Sequence, residues 1–419
     1  MQTKPEVAVF DTDEPNALTV MASLGAKGVP LAVYSPRRFP SGRWSPHCRR
    51  FSRCPDPLQF DAFQHWLAEE LRAGRISRVA PTSDLLTYHC ACLREQFPDE
   101  VRPSLHTREE IENALIKSRF NQRCEALGLP VPESWYPLSL EQARALAPTL
   151  PYPVMIKPKS HLGLGMAYRG AVVADAAAFL AEFREHPPAP GQAPLLARYP
   201  ELAWPMVQRL VAGAAHRVHS LCGLRVEGSG IVAAAAVVKT DQWPPRVGIG
   251  IEFQPLQDPL TLAAGRRVID AFIRHGLFEI ELLVDGEQRL AIDLNPRTYQ
   301  MISYDVARGH DLPWLWYRST RGETIPVQPE AREDLHWRRS FLFHLAHWTR
   351  ILRGPDHRAR WRHYRALRRR PAVNATEGSP WWVTWAGNLR LLRHPRSLVR
   401  PFWEETAESP PDAPARDLH

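Results

Sequence analysis

Three polar residues near the end of one predicted strand have the types and spacing of a site for phosphate chemistry. The segment AIDLNPRTYQ, residues 291–300, places Asp293 and Asn295 two positions apart, so both side chains project from one face of a strand. Carboxylate and amide oxygens suit Mg²⁺, and Arg297, just beyond them, suits a phosphate group. Taken alone, these ten residues favour the solvated rim of an ordinary hairpin, so the rest of the chain has to decide.

A hairpin is the element that must position these residues. The segment FEIELLVDGEQRLAIDLNPR, residues 278–297, contains two apolar-rich runs joined by an Asp-Gly turn signal at 285–286. Glu281 lies on the first run, and pairing around the turn brings its carboxylate to the face that carries Asp293 and Asn295. The hairpin therefore predicts a metal site made of Glu281, Asp293 and Asn295.

The lysines of the chain form a second candidate group. Only six of the 53 basic residues are lysine, so a lysine here indicates a position that uses a compact, flexible point charge. Lys117 lies on a predicted helix, and Lys157 lies at the end of a predicted strand, before the glycine-containing segment 161–166. Both lysines can meet the same polyphosphate.

The first 105 residues are predicted to form a parallel α/β domain. Apolar strands at 6–10, 29–36 and 76–84 alternate with helical segments, of which 61–74 has the clearest helical spacing and a glycine stop. No GxGxxG motif follows the first strand, so the dinucleotide-binding fingerprint is absent there.

Residues 106–315 are predicted to mix helices with antiparallel strands. Two helices are expected in 107–135, the first with a capping-box pattern of Thr107 and Glu110. A helix at 259–276 leads into the hairpin. The segments that look like antiparallel strands are 204–213, 216–226 and 230–240.

The order of these pieces resembles the ATP-grasp superfamily, in particular its carbamoyl-phosphate-synthetase-like and carboxylate–amine ligase branches. The family pattern runs from a lysine before LGVPVP to YPVVVKP with a glycine loop, then VQEYIPG, an acid-bearing strand and EINPR. This chain has Lys117 before LGLPVP, YPVMIKP with HLGLGM, VQRLVAG, FEIELLVDG and IDLNPR. The resemblance covers about residues 5–315 and implies an ATP-grasp domain at 106–315 after the α/β domain at 1–105.

The resemblance also implies roles for the matching residues. Lys117 and Lys157 correspond to the lysines that bind the nucleotide phosphates, and Arg297 to the arginine beside the transferred phosphoryl group. The three hairpin residues correspond to the metal ligands. The closing glycine loop and the segment along the adenine ring correspond to Gly163, Gly165, Met166, Gln208, Arg209, Leu210 and Val211.

One further segment and two departures bear on the chemistry. Residues 239–253 resemble a KxRxxPxxxG segment of some ligases, in which Lys239 and Arg246 would bind the substrate carboxylate or the γ-phosphate; an ordinary edge loop is the alternative.

The second metal carboxylate of the family is usually glutamate, and here it is Asp293. The loop also has one glycine fewer than usual, so a catalytically degraded homologue is a second alternative.

The function that the resemblance implies is ATP-dependent activation of a carboxylate as an acyl phosphate, followed by attack of an amine to give an amide, ADP and phosphate. ATP and Mg²⁺ are the expected cofactors, with Mn²⁺ as an alternative to Mg²⁺. The expected partners are a small-molecule carboxylate and an amine; DNA is not expected, and a homodimer is an open alternative.

The sequence has neither an apolar run of membrane-spanning length nor a signal-peptide pattern, so a cytoplasmic location is expected.

The C-terminal part has a different composition. Residues 316–403 are predicted to be a mostly helical extension rich in arginine and tryptophan, and 338–370 contains eleven arginines and one acidic residue. The tail at 404–419 is acidic and proline-rich and is predicted to be disordered. The extension is expected to pack on the ligase core; the alternative is an ATP-binding protein whose basic segment binds a membrane surface or nucleic acid.

Overall fold

A computed structural model describes residues 7–160, 162, 170–187, 191–211, 218–243 and 249–385. Its strands are β1 Val7–Val9, β2 Leu31–Ser35, β3 Cys48–Arg53, β4 Arg78–Val79, β5 Ser134–Trp135, β6 Val154–Lys157, β7 Ala171–Val173, β8 Met206–Arg209, β9 Val218–Val226, β10 Gly230–Trp243, β11 Ile249–Pro255, β12 Gly276–Asp285, β13 Gln288–Asn295, β14 His336–Arg338 and β15 Ala372–Asn374. Its α-helices are α1 Pro15–Ala26, α2 Phe60–Arg72, α3 Asp84–Cys92, α4 Arg108–Leu115, α5 Lys117–Ala126, α6 Leu140–Leu146, α7 Ala176–Glu182, α8 Ala193–Arg198, α9 Pro259–Phe272, α10 Ile302–Ala307, α11 Leu312–Ser319, α12 Ser340–Arg353 and α13 His357–Arg369.

The N-terminal part is a parallel sheet in the order β3-β2-β1-β4, with α1 between β1 and β2, α2 between β3 and β4, and only a short 3₁₀ helix between β2 and β3. This confirms the α/β fold class expected from the alternation of strands and helices. The sequence analysis did not predict strand β3, because three of the six residues of CRRFSR are arginine and the segment has no apolar alternation. It lies at the edge of the sheet, where one side of a strand faces solvent and charged residues are tolerated.

A second sheet, in the order β5-β8-β6-β7, is antiparallel. The predicted strand at 204–213 exists as β8, but its neighbours are β6 and β5, with Ile156 opposite Val207. The apolar pattern of this segment predicts a strand, whereas the choice of partner depends on residues about 50 positions away.

The third sheet has seven strands in the order β13-β12-β9-β10-β11-β14-β15, and only the β14–β15 pair is parallel. Its β12–β13 hairpin turns at Gly286, whose φ of 60° suits glycine, as the Asp-Gly signal predicts. Phe278 and Ile280 pack with Val268 and Phe272 of α9 in one apolar cluster. The odd-numbered residues of β12, including Glu281, therefore project from the opposite face.

The N-terminal sheet and the seven-stranded sheet share one hydrophobic core. Val9 and Leu18 from the first part belong to the same buried cluster as Leu224, Phe253 and Tyr299. This common core fixes the carboxyl edge of the parallel sheet against the end of the β12–β13 hairpin.

The C-terminal region adds both helices and strands to this framework. Helices α12 and α13 agree with the helical expectation, and β14 extends the large sheet, with the fully buried Trp337 opposite Phe253. The expected tail at 404–419 lies outside the described residues. In the described part of the chain, no helix has both the length and the apolar character needed to cross a membrane.

Candidate active site

The site is built on the face of the β12–β13 hairpin that points away from α9. Glu281 lies directly opposite Asp293, and Glu279 lies directly opposite Asn295. The register shifts between these pairs and the turn, where Ile292 is the extra residue of a bulge. Because a bulge re-aims the side chains beside it, four oxygen-bearing side chains share one face here.

Glu279 is a member of this group that the sequence analysis missed. Asn295 donates from Nδ2 to the Glu279 Oε2 at 3.0 Å, and Arg297 donates from Nη2 to the Asn295 Oδ1 at 2.8 Å. Burial, together with the charge of Glu281, raises the pKa of the Glu279 carboxyl to about 8. The spacing of Glu279 and Glu281, two apart on one strand, was the signal available in the sequence.

Two lysines approach the same face from other elements. Lys117 is the first residue of α5, and its amine pairs with the Asp293 carboxylate. Lys157 ends β6; burial and then the Lys117 charge lower its pKa to about 7, while Asp293 and Glu281 act in the opposite direction. The structure thus brings together both predicted phosphate lysines and two predicted metal ligands.

Lys239 reaches this face from β10. Val237, two residues earlier, lies opposite Ser220, which in turn lies opposite Glu281, so Lys239 shares the face of the hairpin acids. Burial raises the pKa of the Glu281 carboxyl, and the charge of Lys239 is the largest effect that lowers it. Lys239 therefore belongs electrostatically to the site.

Lys159 is a second residue without a predicted role. Its side chain is 1% exposed, its Nζ donates to the Glu201 carbonyl at 3.1 Å, and burial lowers its pKa to about 8. Its own carbonyl accepts from the Lys117 N–H at 2.7 Å. Lys159 thereby holds the first turn of α5 in place and positions Lys117.

Arg297 connects the hairpin to the N-terminal sheet. Its guanidinium contacts both carboxylate oxygens of Asp84, at 2.5 Å from Nε and 3.2 Å from Nη2. Asp84 is the first residue of α3, and the Thr298 N–H donates to the Pro81 carbonyl at 2.9 Å. The N-terminal sheet and helix α3 therefore contact the site, through an aspartate that lies about 210 residues from its partner in sequence.

The segment predicted to lie along the adenine ring is partly engaged in strand pairing. Gln208 donates from Nε2 to the Ser134 Oγ at 3.1 Å, and the Arg209 N–H donates to the Glu133 carbonyl at 2.9 Å. The Arg209 side chain pairs with Asp285 of the hairpin at 2.9 Å. Among the described residues, no backbone carbonyl accepts from the N–H groups of Leu210 and Val211.

Four other predicted site residues lie outside the described part of the chain. They are Gly163, Gly165 and Met166 of the glycine loop, and Arg246.

The donor types of the hairpin face fit Mg²⁺, because all four side chains offer oxygen. Within the described residues, no three histidine, cysteine, aspartate or glutamate side chains form a ready-made metal-binding group. The Lys117 amine is paired with Asp293. Metal binding at Glu281, Asp293 and Asn295 would therefore replace this ion pair.

No family model matches the chain. One similar solved structure is N5-carboxyaminoimidazole ribonucleotide synthetase from Thermus thermophilus, with 14% identity and a TM-score of 0.56 over 78% of this chain and 81% of that chain. A second is a biotin carboxylase complex with β,γ-ATP from Campylobacter jejuni, with 13% identity and a TM-score of 0.58 over 79% of this chain and 74% of that chain. A third is L-amino acid ligase from Bacillus licheniformis, with 14% identity and a TM-score of 0.54 over 77% of this chain and 75% of that chain. The chain has the ATP-grasp fold.

In this ATP-grasp fold the candidate site is the crevice between two sheets. Lys157 and the segment 208–211 come from the four-stranded sheet, whereas Glu281 and Asp293 come from the seven-stranded sheet. Lys117, at the start of α5, connects the two sides, because its N–H donates to the carbonyl of Lys159, two residues after β6, and its amine pairs with Asp293 of the hairpin.

Proposed function

We propose that the protein is an ATP-dependent ligase that activates a small-molecule carboxylate as an acyl phosphate and joins it to an amine. One observation carries the proposal: three lysines, Lys117, Lys157 and Lys239, converge on a hairpin face of oxygen donors. Lys157 forms no ion pair with a carboxylate in the described part of the chain. A partly buried amine of this kind is suited to an anionic ligand such as a polyphosphate.

Each residue has a proposed part in binding. Lys117 and Lys157 hold the polyphosphate, and the N–H groups of Leu210 and Val211 bind the adenine ring. Glu281, Asp293 and Asn295 would hold Mg²⁺, with Glu279 supporting Asn295 through their 3.0 Å hydrogen bond. Bound there, Mg²⁺ would neutralise charge on the phosphate oxygens. Gly163, Gly165 and Met166 are proposed to cover the phosphates.

The proposed reaction has two steps. A carboxylate oxygen of the substrate attacks the γ-phosphorus, the bond from that phosphorus to the β–γ bridging oxygen breaks, and ADP leaves with the electron pair. The amine nitrogen then attacks the acyl carbon, phosphate leaves, and the amine proton passes to solvent. Lys239, Arg246 and Arg297 are proposed to stabilise the negative charge on the transferred group, so positioning and electrostatics provide the catalysis.

The test is to incubate the full chain with ATP, Mg²⁺ and pooled carboxylic and amino acids, and to identify the nucleotide products. We expect ADP and phosphate, and formation of a hydroxamate when hydroxylamine replaces the amine. Asp293→Ala should abolish both products, whereas Glu287→Ala, which removes an exposed carboxylate from the turn of the same hairpin, should not. AMP with pyrophosphate would contradict the acyl-phosphate route.

A second proposal concerns the surface formed by α12 and α13. Trp348, Leu352 and Trp361 are 44%, 70% and 37% exposed, and the two tryptophan rings lie 5.4 Å apart. Helix α13, which carries Trp361, contains six arginines in its sequence HRARWRHYRALRR. Exposed tryptophan beside a basic helix face is typical of contact with an anionic membrane surface. We propose that this surface, the Trp348–Trp361 face, binds anionic lipid peripherally.

Vesicle sedimentation tests this second proposal. We expect binding to vesicles that contain phosphatidylglycerol, little binding to phosphatidylcholine alone, and weakening by salt. Trp361→Ser should weaken binding about tenfold, whereas Phe39→Ser, which removes another exposed aromatic ring, should not. Binding to RNA without binding to vesicles would contradict the membrane assignment.

A further inference from the structure

A cavity of about 290 Å³ lies among α2, α3, α4 and α8, apart from the lysines and the hairpin. The residues that line it include Phe60, Gln64, Tyr88, Cys92, Arg108 and Arg198. None of the lining residues is one to which the proposed ligase reaction assigns a role. The cavity therefore requires an explanation of its own.

Two arginines give the cavity its charge. Neither Arg108 nor Arg198 forms an ion pair with a carboxylate in the described part of the chain; Arg198 donates from Nε to the Tyr199 hydroxyl at 2.9 Å. Glu112 is the acidic residue whose charge reaches Arg198. Its carboxylate is already occupied, because it accepts from the Tyr199 hydroxyl and from the Arg119 Nη1 at 2.7 Å.

The remaining polar groups of the cavity are neutral. Burial raises the pKa of the Tyr88 hydroxyl and of the Cys92 thiol, so both keep their protons near neutral pH. The buried Gln64 Nε2 has no hydrogen-bond partner of normal geometry among the described residues, and the Cys92 sulfur beside it is a weak acceptor. Among its described lining residues, the cavity thus offers two positive charges, one weakly paired donor and no carboxylate.

The other walls are apolar. The Phe60 and Tyr88 rings lie 5.9 Å apart, and Leu195 of α8 packs in the same cluster as Tyr88. A fully hydrated inorganic ion would leave these walls without contacts, whereas a ligand with an apolar body would cover them.

We propose that this cavity is a binding site for a small organic anion, a carboxylate or phosphate monoester with an apolar body. The anionic group lies between Arg108 and Arg198, where each guanidinium donates to it, and the Gln64 amide supplies a further donor. The apolar body contacts Phe60 and Leu195. The proposal goes beyond the ligase function and does not depend on it.

Alkylation of Cys92 reports on occupancy, because this half-buried thiol lines the cavity. The full chain is treated with iodoacetamide at mildly alkaline pH, with and without phenyl phosphate or phenylacetate, and each cysteine is followed by mass spectrometry. We expect at least one probe to slow alkylation of Cys92 about tenfold at saturation. Cys48, which is equally half-buried but lies on β3, should react at an unchanged rate. The probe that protects identifies the anionic group as carboxylate or phosphate.

Variants locate the binding site. Arg108→Gln and Arg198→Gln should each weaken protection about tenfold, the loss expected for one charged hydrogen bond. Arg49→Gln removes an exposed charge elsewhere in the N-terminal part of the chain and should leave the protection of Cys92 unchanged, as should Lys157→Met in the crevice.

Absence of protection by both probes would overturn the proposal, and so would equal losses of protection in the Arg49 and Arg198 variants. Circular dichroism checks folding, and the exposed Arg198 provides the test if Arg108→Gln unfolds.

Discussion

Two clusters of charged side chains lie on the seven-stranded sheet, one toward each edge, and they differ in how their charges are paired. Toward the β13 edge, Lys117, Lys157 and Lys239 lie close to Glu281 and Asp293 in the crevice between the sheets, where the Asp293 side chain is 28% exposed. Toward the β15 edge, one carboxylate, Glu252 of β11, faces one guanidinium, Arg338 of β14, at 2.9 Å. The side chains of this second pair are 3% and 8% exposed.

The difference shows which charges stabilise the fold and which can take up a ligand. Arg338 is satisfied, because its Nη2 also donates to the Leu367 carbonyl at 2.7 Å and ties α13 to the sheet. In the crevice, by contrast, Lys157 has a pKa lowered to about 7. A one-to-one buried pair is a structural element, whereas an open cluster with raised and lowered pKa values is typical of a functional site.

The largest expected effect lies at the structural pair. Glu252→Ala should lower the free energy of unfolding by about 3–5 kcal/mol, because it leaves the Arg338 charge buried without a partner. Urea denaturation measures this change, with Glu287→Ala as a control expected to stay within about 0.5 kcal/mol. Replacing both partners, Glu252→Met with Arg338→Met, should recover most of the loss. A small effect of Glu252→Ala alone would remove the distinction between the two groups.

The crevice should respond in the opposite way, with loss of activity and little loss of stability. Asp293→Ala should reduce ADP formation by at least about 100-fold, or about 2.7 kcal/mol in the activation free energy, because a metal ligand is lost. The free energy of unfolding should fall by less than in Glu252→Ala, because the Asp293 side chain is 28% exposed and the Glu281 charge remains close to Lys117. Asp293→Glu, which restores the usual family residue, should retain activity. Unchanged turnover in Asp293→Ala would refute the metal assignment.

Binding of Mg²⁺ should depend on pH through Glu279. Its pKa is raised from an ordinary value of 4.5 to about 8, so the carboxyl is protonated in the metal-free protein at neutral pH. Glu279 should therefore lose its proton when Mg²⁺ binds. The apparent affinity for Mg²⁺ should rise by up to about tenfold per pH unit as the pH increases from about 6 to about 8. Calorimetry in buffers of different ionisation enthalpy measures the released proton.

The same pKa shift predicts the sign of the stability change without metal. Because the folded pKa of Glu279 lies above the unfolded one, its contribution to stability is present below pH of about 4.5 and is lost as the pH rises through about 8. Glu279→Gln should flatten both pH profiles. A profile that is unchanged in this variant would show that another group titrates.

The smallest effect is expected at the helix that leads to Lys117. Thr107 and Glu110 form a complete capping box at the start of α4, as the sequence predicts. Thr107→Ala should lower the free energy of unfolding by about 1 kcal/mol. The KM for ATP should stay within about twofold, since the Lys159 carbonyl still anchors the Lys117 N–H. A large rise in KM would mean that the crevice depends on the cap.

The sequence alone determined the elements whose signals are local. The Asp-Gly turn at 285–286 and the alternation of apolar residues predict the hairpin, and the two-residue spacing of Asp293 and Asn295 predicts their common face. The order of the lysine, glycine and acid-bearing segments predicted the fold only through its resemblance to the ATP-grasp superfamily. These signals suffice because turn chemistry and strand periodicity act over a few residues.

Only the tertiary structure decided which distant groups meet. Asp84 pairs with Arg297, Lys159 anchors Lys117, and Trp337 enters the core with β14. None of these contacts has a local signature, because each forms only after long segments of chain have closed and buried their apolar faces. Burial also sets the pKa values of Glu279 and Lys157, since the cost of desolvating a charge depends on its surroundings in three dimensions and not on its neighbours in sequence.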